Sequence, residues 1–434
     1  LTATLVAVLA LIVFLAILAV GVPIGVSMGL VGFFGIMALR GDAAFATLFT
    51  IPYSAMASWS LSVIPMFLLM GYIGFHAGYT KDAYDAAYKW LGRLPGGVAI
   101  ATLFGGAGFG ACSGSSIAAT AALGRIAIPE MERYGYDIKL ACGSVAVAGT
   151  LAALIPPSIL LVLYGIVAEQ SVGKLLIAGI FPGILSMLCF SALVYVRALV
   201  SPQFAPKGET VSLAERLSSL KYGAPLLFIF FIVIAGIYSG VFTPTEAGSL
   251  GAFVISILSF AMRRLNLHTF TESIFETMRV TCSIFVIVLG AYIFIQFLAI
   301  SRLPITFAEW AVSLPINRML IFIGVLAVYL ILGCFLDAIG LILLTVPFIF
   351  PAVSALGFDP IWFGVIVVKM VEIGLLTPPV GIQTYVLKGV VPHIPVETIF
   401  GGIFPFFLVD LFIVIGLLIV FPDIALFLPN KMTG

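Results

Sequence analysis

Charge is what this chain has least of. Lys and Arg together number 20 and Asp and Glu 19, so only 9% of its 434 residues are charged, where an ordinary globular domain carries about 25%. The balance is +1, which gives no basic or acidic field to draw in a nucleic acid or an oppositely charged partner. Histidine is nearly absent: His76, His268 and His393 fall near segment ends and far apart, which argues against a metal cluster or proton relay built on imidazole. The five cysteines, Cys112, Cys142, Cys189, Cys282 and Cys334, lie in apolar stretches and form no Cys-x-x-Cys pair, so neither a disulfide framework nor a zinc site is supported. Gly105, Gly106, Gly108, Gly110 and Gly114 cluster without a strand, a Lys or a ribose-binding acid. Close helix packing explains them better than a nucleotide loop. No nucleophile beside a base, metal cluster or cofactor motif is visible, so an enzyme is not expected. The sequence starts at Leu1 and not at Met, as a processed, trimmed or fused product would, and a signal peptide cannot be argued from it either way.

Apolar residues fill the space that charge leaves. They make up 62% of the chain, with 44 Gly and 24 Pro among the rest. That combination destabilises a soluble helical core but is common in membrane helices, where neighbouring segments satisfy the freed backbone groups. The class is polytopic, all-α and membrane-embedded. A helix rises about 1.5 Å per residue, so crossing a hydrocarbon core of about 30 Å takes about 20 apolar residues. Crossings are predicted over 2–20, 22–39, 59–77, 140–168, 175–196, 223–240, 246–262, 280–300, 361–388 and 398–421. Two stretches, 97–129 and 318–353, are too long for one crossing and are broken centrally, by Ser113-Gly114-Ser115-Ser116 and by Asp337. Each is predicted to be a re-entrant helical hairpin. Segments 42–58 and 265–279 have polar ends and are expected to lie along the interface as arms. With the loop 197–221 inside, 13 of the 20 Lys and Arg fall on cytoplasmic connections, which by the positive-inside rule puts both chain ends outside the cytoplasm.

The chain also repeats itself. Shifted by 222 residues, Cys112 meets Cys334, Gly29 meets Gly251, Pro129 meets Pro351, Gly135-Tyr136-Asp137 meets Gly357-Phe358-Asp359, and Pro156-Pro157 meets Pro378-Pro379. After one inserted residue Gly179-Ile180-Phe181-Pro182 meets Gly402-Ile403-Phe404-Pro405. The halves are therefore 1–212 and 213–434. The first holds the helices within 2–77, the hairpin 97–129, an interrupted crossing 140–168 and a last crossing 175–196; the second holds 223–300, 318–353, 361–388 and 398–421. Five crossings per half is odd, so the second copy must be inserted upside down. Inverted repeats of this kind recur in secondary transporters, with the binding site at the midplane.

The Pro pairs locate the chemistry. Each removes two N–H donors and disfavours helix at the residue before it, so 152–156 and 374–378 are predicted to be unwound. One such pair could equally be a packing kink; its recurrence at the matching place in both halves favours a site. Thr377 should cap a half-helix starting at Pro378, with Ile155 in that place in the first half and Ser158 following the Pro pair. Ser115 or Ser116, and Asp337, should cap the second arms of the hairpins. Four half-helix N-termini near the midplane, each with about half a positive charge, favour an anionic substrate. The carbonyls of Gly149, Ala152, Ile155, Gly374 and Thr377 present oxygen only, as a small hard cation such as Na⁺ requires. Thr243-Pro244-Thr245-Glu246 has capping-box spacing, so Glu246 is expected to hold a helix end. Lys369 and Glu372, three apart, are expected to neutralise each other. Asp337 is the acid expected to take part in the chemistry, and Asp410 has no evident partner.

Gly106-Ala-Gly-Phe-Gly-Ala-Cys-Ser-Gly-Ser-Ser116, Thr243-Pro-Thr-Glu-Ala247, Ile155-Pro-Pro-Ser158 and Thr377-Pro-Pro-Val-Gly381 resemble the large, DctM-like membrane subunit of tripartite ATP-independent periplasmic (TRAP) transporters, and the resemblance runs over essentially the whole chain. It implies a Na⁺-driven importer of the bacterial inner membrane that works with a small four-helix membrane subunit and a soluble periplasmic substrate-binding protein. It implies substrates such as organic acids, sialic acids, sugar acids or ectoine-like solutes, and an elevator motion of hairpins and interrupted helices past a scaffold. Where the family often has Gly in the first unwound segment, this chain has Ala152. On this basis the first Na⁺ site is expected at Ser113, Ser115, Ser116, Gly149, Ala152, Ile155 and Pro157, and the second at Gly333, Asp337, Gly374, Thr377 and Val380. Substrate is expected beside Ser116, Pro156, Ser158 and Pro379. No organic cofactor is expected, and with nothing to support ATP hydrolysis the energy must come from an ion gradient. A stand-alone Na⁺/dicarboxylate symporter of similar fold and an ion channel are the alternatives.

Overall fold

Backbone groups in hydrocarbon have only each other to bond with, which leaves the helix as the economical conformation for an apolar chain. The computed structural model describes residues 3–209 and 211–432, without the side chains of 111–113, and contains no strand among them. The first half runs α1 (Ala3–Ala19), α2 (Ile24–Arg40), α3 (Ala43–Met56), α4 (Val63–His76) and α5 (Tyr79–Leu91). A helical hairpin follows, α6 (Gly97–Ser113) and α7 (Ser116–Arg133), then the interrupted pair α8 (Ile138–Leu151) and α9 (Ile159–Val167), then α10 (Val172–Ala178) and α11 (Ile180–Val200). The second half opens with α12 (Leu213–Tyr238), α13 (Pro244–Ala261), α14 (Leu267–Ser301) and α15 (Leu303–Ser313). Its hairpin is α16 (Arg318–Gly333) and α17 (Ala338–Ala355), and its interrupted pair is α18 (Pro360–Leu376) and α19 (Ile382–Val390). It closes with α20 (Val396–Leu408), a π-helical turn (Val409–Val414) and α21 (Ile415–Val420). Both hairpins break at the serine turn and at Asp337, and both interruptions include the Pro pairs, though their bounds differ from those expected.

The arms differ from expectation. The first, α3, is a separate helix set off from α4 by Ser58 and a 3-10 turn (Trp59–Ser62). The second is not separate: α14 runs unbroken for 35 residues, about 52 Å at 1.5 Å per residue. Asn266 starts it with a capping box, and no Pro or Gly interrupts it before Gly290, whereas the first half carries Pro52 in the arm itself. Two further arm-like helices, α5 and α15, stand at equivalent places before each hairpin. α5 buries Tyr79, Thr80 and Tyr84 on one face and carries Lys81, Asp82, Asp85 and Lys89 around the rest.

Burial identifies the centre. Every residue from Leu140 to Leu151 in α8 and from Ile361 to Leu376 in α18 is buried. Helices enclosed all round need apolar residues all round, and these have them apart from a few small hydroxyls, Lys369 and Glu372. α8 lies among α6, α7 and α20, and α18 lies against α16 and α17. The second half-helices cross over, α9 packing on α17 and α19 on α7. Each hairpin is thus gripped by interrupted helices of both halves.

Around this centre α2 pairs with α14, and in the matching exchange α4 pairs with α13. The α2–α14 contact is backbone on backbone: a Cβ on Gly32 would sit 2.8 Å from the Phe294 nitrogen, and one on Gly290 would overlap the Gly25 carbonyl. Small residues permit this approach, which in lipid must be driven by packing. Seven described helices are long and apolar enough to cross a membrane. Outward-facing Leu5, Leu9, Ile12 and Val13 on α1 are exposed, as side chains meeting lipid would be.

Candidate functional site

The first interruption follows from two missing donors. Pro156 and Pro157 cannot give an N–H to the carbonyls of Ala152 and Ala153, so α8 stops at Leu151 and residues 152–158 leave the helix. Ser158 repairs half of the loss: its hydroxyl donates to the Ala153 carbonyl and accepts from Leu161 N at 3.2 Å. That makes Ser158 the cap of α9, in place of the expected Ile155, whose side chain has no acceptor to offer. Hairpin α6–α7 presses onto this segment. A Cβ on Gly110 would lie 2.5 Å from Ala152 Cα, and one on Gly114, at φ +58°, 2.5 Å from the Pro157 carbonyl. Ser115 caps α7 by accepting from Ala118 N at 3.4 Å. Ser115, Ser116, Gly149, Ala152, Ile155 and Pro157 thus fall within the hairpin tip, the end of α8 and the segment it covers. The side chains of Cys112 and Ser113 lie outside the described residues.

The second interruption corrects two expectations. α18 continues through Leu376, so the opening is 377–381 and not 374–378. Thr377 ends the first half-helix and does not start the second. Its N–H takes the Gly374 carbonyl that Pro378 cannot serve, at 3.0 Å, and its hydroxyl donates to the Ile373 carbonyl at 2.6 Å. α19 begins only at Ile382, after Gly381 turns the chain at φ +58°. A Cβ on Gly374 would lie 2.6 Å from Gly333 Cα, so α16 presses on α18 as α6 does on α8. Asp337 caps α17, its Oδ2 accepting from Ile339 N at 3.1 Å and Gly340 N at 3.0 Å. Gly333, Gly374 and Thr377 come together at the end of α18, with Val380 in the opening beside them and Asp337 at the hairpin tip. Of the residues expected beside substrate, Ser116, Pro156 and Ser158 are buried whereas Pro379 is exposed. The peptide bonds Pro156–Pro157 and Pro378–Pro379 are both cis.

The buried charges pair differently from expectation. Lys369 Nζ lies 2.7 Å from Asp410 Oδ1, with the two side chains 1% and 0% exposed, so the ion pair is made with Asp410 and not with Glu372. Three residues of helix turn Lys369 and Glu372 toward different neighbours. Lys369 faces the ring of Phe190, 5.3 Å away, and the π-helical turn of the last crossing, which carries Asp410. Glu372 faces hairpin α6–α7, where Ser116 Oγ donates to its Oε1 at 3.1 Å. Asp410 therefore has a partner that spacing along the chain did not reveal. The available signal was the presence of one lysine and two acids in spans that otherwise exclude charge. Glu246 behaves as expected, its Oε2 accepting from Thr243 N at 2.8 Å in a complete capping box.

Comparison with known proteins agrees with this architecture. The family model described as "Tripartite ATP-independent periplasmic transporter, DctM component" matches residues 11–424. The chain is 35% identical over 405 residues to the C4-dicarboxylate TRAP transporter large permease protein DctM of Pseudomonas aeruginosa, covering 93% of this chain and 94% of that protein. It is 33% identical over 382 residues to the sialic acid TRAP transporter large permease protein SiaM of Vibrio cholerae, covering 87% and 88%. It is 31% identical over 375 residues to the 2,3-diketo-L-gulonate TRAP transporter large permease protein YiaN of Escherichia coli, covering 86% and 87%. Among solved structures, the Alcanivorax borkumensis YdaH transporter shares the fold, with a TM-score of 0.65 at 16% identity over 89% of this chain and 91% of that one.

Proposed function

Because the chain belongs to the tripartite ATP-independent periplasmic transporter family as its DctM component, we propose that it is the membrane-spanning engine of a Na⁺-coupled importer of small organic anions. The observation that carries this reading is the matched pair of interruptions: each opens the backbone at a Pro pair, and each is pressed by a hairpin from its own half. Carbonyl oxygen stripped of its helical donors is a ligand for a hard cation. One Na⁺ would sit among Ser115, Ser116 and the carbonyls of Gly149, Ala152, Ile155 and Pro157. A second would sit among the carbonyls of Gly333, Gly374, Thr377 and Val380, with Asp337 fixing the hairpin beside it. Thr377 could offer its hydroxyl oxygen as well as its carbonyl, since donating to Ile373 leaves the hydroxyl lone pairs free. The capped starts of α7 and α9 offer free N–H groups and the positive end of a helix to a carboxylate. The relatives' names specify a dicarboxylate, a sialic acid and a diketo sugar acid, all of them carboxylates, which supports that substrate class.

In this reading the repeats insert in opposite senses into the bacterial inner membrane with both chain ends in the periplasm. Hairpins α6–α7 and α16–α17 move with the interrupted helices as one body against α1, α2, α4, α12, α13 and α14. A small four-helix membrane subunit and a periplasmic binding protein complete the system. The test is uptake into proteoliposomes of a carboxylate delivered by the cognate binding protein. Uptake should require both the binding protein and an inward Na⁺ gradient. Equal uptake without the binding protein would replace this reading with a stand-alone symporter, and single-channel currents in a planar bilayer would replace it with a channel.

A further inference from the structure

Ser116 stands between two groups of buried polar atoms that the sites above do not use. On its own helix, Thr120 lies one turn further along the same face. Thr120 is 0% exposed and its Oγ1 has no hydrogen-bond partner; a Cβ on Gly149 would overlap that oxygen and come within 3.0 Å of the Ser116 carbonyl. On the other side, the Ser116 hydroxyl donates to Glu372 Oε1, leaving Oε2 of a 0% exposed carboxyl without a partner. A third element faces the same place. α19 runs alongside α7 in the same direction, since Gly124 adjoins Leu387 and Val390 while Glu132, further along, meets His393 at 3.0 Å. Extended one turn back at the helical rise, that register puts Gln383 and Thr384 at about the level of Thr120. Both are 0% exposed, and Gln383 Oε1, Gln383 Nε2 and Thr384 Oγ1 have no partners.

Polar atoms shut away without partners are uncommon, and several at one level call for an occupant. Charge indicates which kind. Lys369 is ion-paired with Asp410, which leaves Glu372, held only by the Ser116 hydroxyl, to offer a carboxyl oxygen; a single positive charge would balance it in its ionised form. The available ligands are oxygens of carboxylate, hydroxyl and amide, with no sulfur or imidazole, which suits a hard cation. A divalent ion would leave an excess of one positive charge.

We propose that Glu372, Ser116 and Thr120, with Gln383 and Thr384 beside them, hold a third Na⁺ between hairpin α6–α7 and the second interrupted crossing. This rests on the Na⁺-coupled reading; it shares Ser116 with the first position above but differs from both in drawing its ligands from side chains of the two halves. A cation here ties the tip of the first hairpin to α18 and α19, so the hairpin cannot lift while the ion stays.

The test uses the full chain in lipid nanodiscs, with thermal unfolding followed as NaCl replaces choline chloride at constant ionic strength. The wild type should be stabilised by Na⁺ with a cooperative dependence. Glu372→Gln should unfold no earlier than the wild type without Na⁺, because a lone buried carboxylate is gone, and should need at least tenfold more Na⁺ for half its stabilisation. Thr120→Val, which keeps shape and removes Oγ1, should shift the Na⁺ midpoint in the same direction, and it decides the matter if Glu372→Gln does not fold. If both variants titrate as the wild type does, the third site is wrong and Na⁺ coupling stands. If the wild type gains nothing from Na⁺ over choline, Na⁺ coupling and the third site fall together.

Discussion

A lysine and an aspartate enclosed away from water and lipid stabilise each other only while both remain. For the Lys369–Asp410 pair, 1% and 0% exposed, removing one partner leaves a buried charge without its ion-pair partner, a loss of about 3–5 kcal/mol. Lys369→Met and Asp410→Leu should each lower the thermal midpoint of the purified protein strongly. The double variant should recover most of the loss, because an ion pair and an apolar replacement of similar volume are often nearly equivalent in a core. A double variant as unstable as the sum of the singles would mean that the two side chains do not act together. That these charges mattered was legible in the sequence, since almost nothing else charged sits within a span. Their pairing was not: three residues apart on a helix made Lys369 and Glu372 look like partners, and only the packing of the last crossing against α11 and α18 brings Asp410 into reach.

Among the helices, the Pro pairs fix where the chain must open but not how it closes again. After Pro157 a serine is at hand, and Ser158 both caps α9 and satisfies the Ala153 carbonyl. After Pro379 no hydroxyl follows at that spacing, and the chain waits for Gly381, whose φ of +58° a side chain rarely adopts. The sequence logic that put a cap immediately before each Pro pair treated Pro as a helix starter, whereas here the lost N–H groups make it a helix stopper first. Ser158→Ala should therefore cost about 1–2 kcal/mol in thermal stability, losing a cap and leaving a buried carbonyl unpaired. Thr377→Ala should cost less, because that hydroxyl caps nothing and only back-bonds to its own helix. Equal losses would contradict the different roles given to the two hydroxyls. The long arm was hidden for a related reason: polarity at 265–279 suggested a separate surface helix, but without Pro or Gly before Gly290 nothing ends α14.

At the level of the molecule, the shift of 222 residues was enough to foresee two hairpins and two broken helices, because unusual residues such as Pro pairs and turn glycines keep their register where Leu and Val do not. It did not reveal that α9 and α19 cross over to pack on the other half's hairpin, since contacts between halves leave no periodic trace in either. That crossing over ties each hairpin to interrupted helices of both halves, and the proposed elevator motion requires them to slide together against the outer helices during uptake. Among the contacts across that boundary, a Cβ on Gly340, at the start of α17, would collide with Ile24 Cδ1 at the start of α2. In a background lacking the five native cysteines, Ile24→Cys with Gly340→Cys should cross-link under mild oxidant, and solute uptake into proteoliposomes should stop on oxidation and return on reduction. Undiminished uptake by the fully cross-linked protein would contradict a moving body.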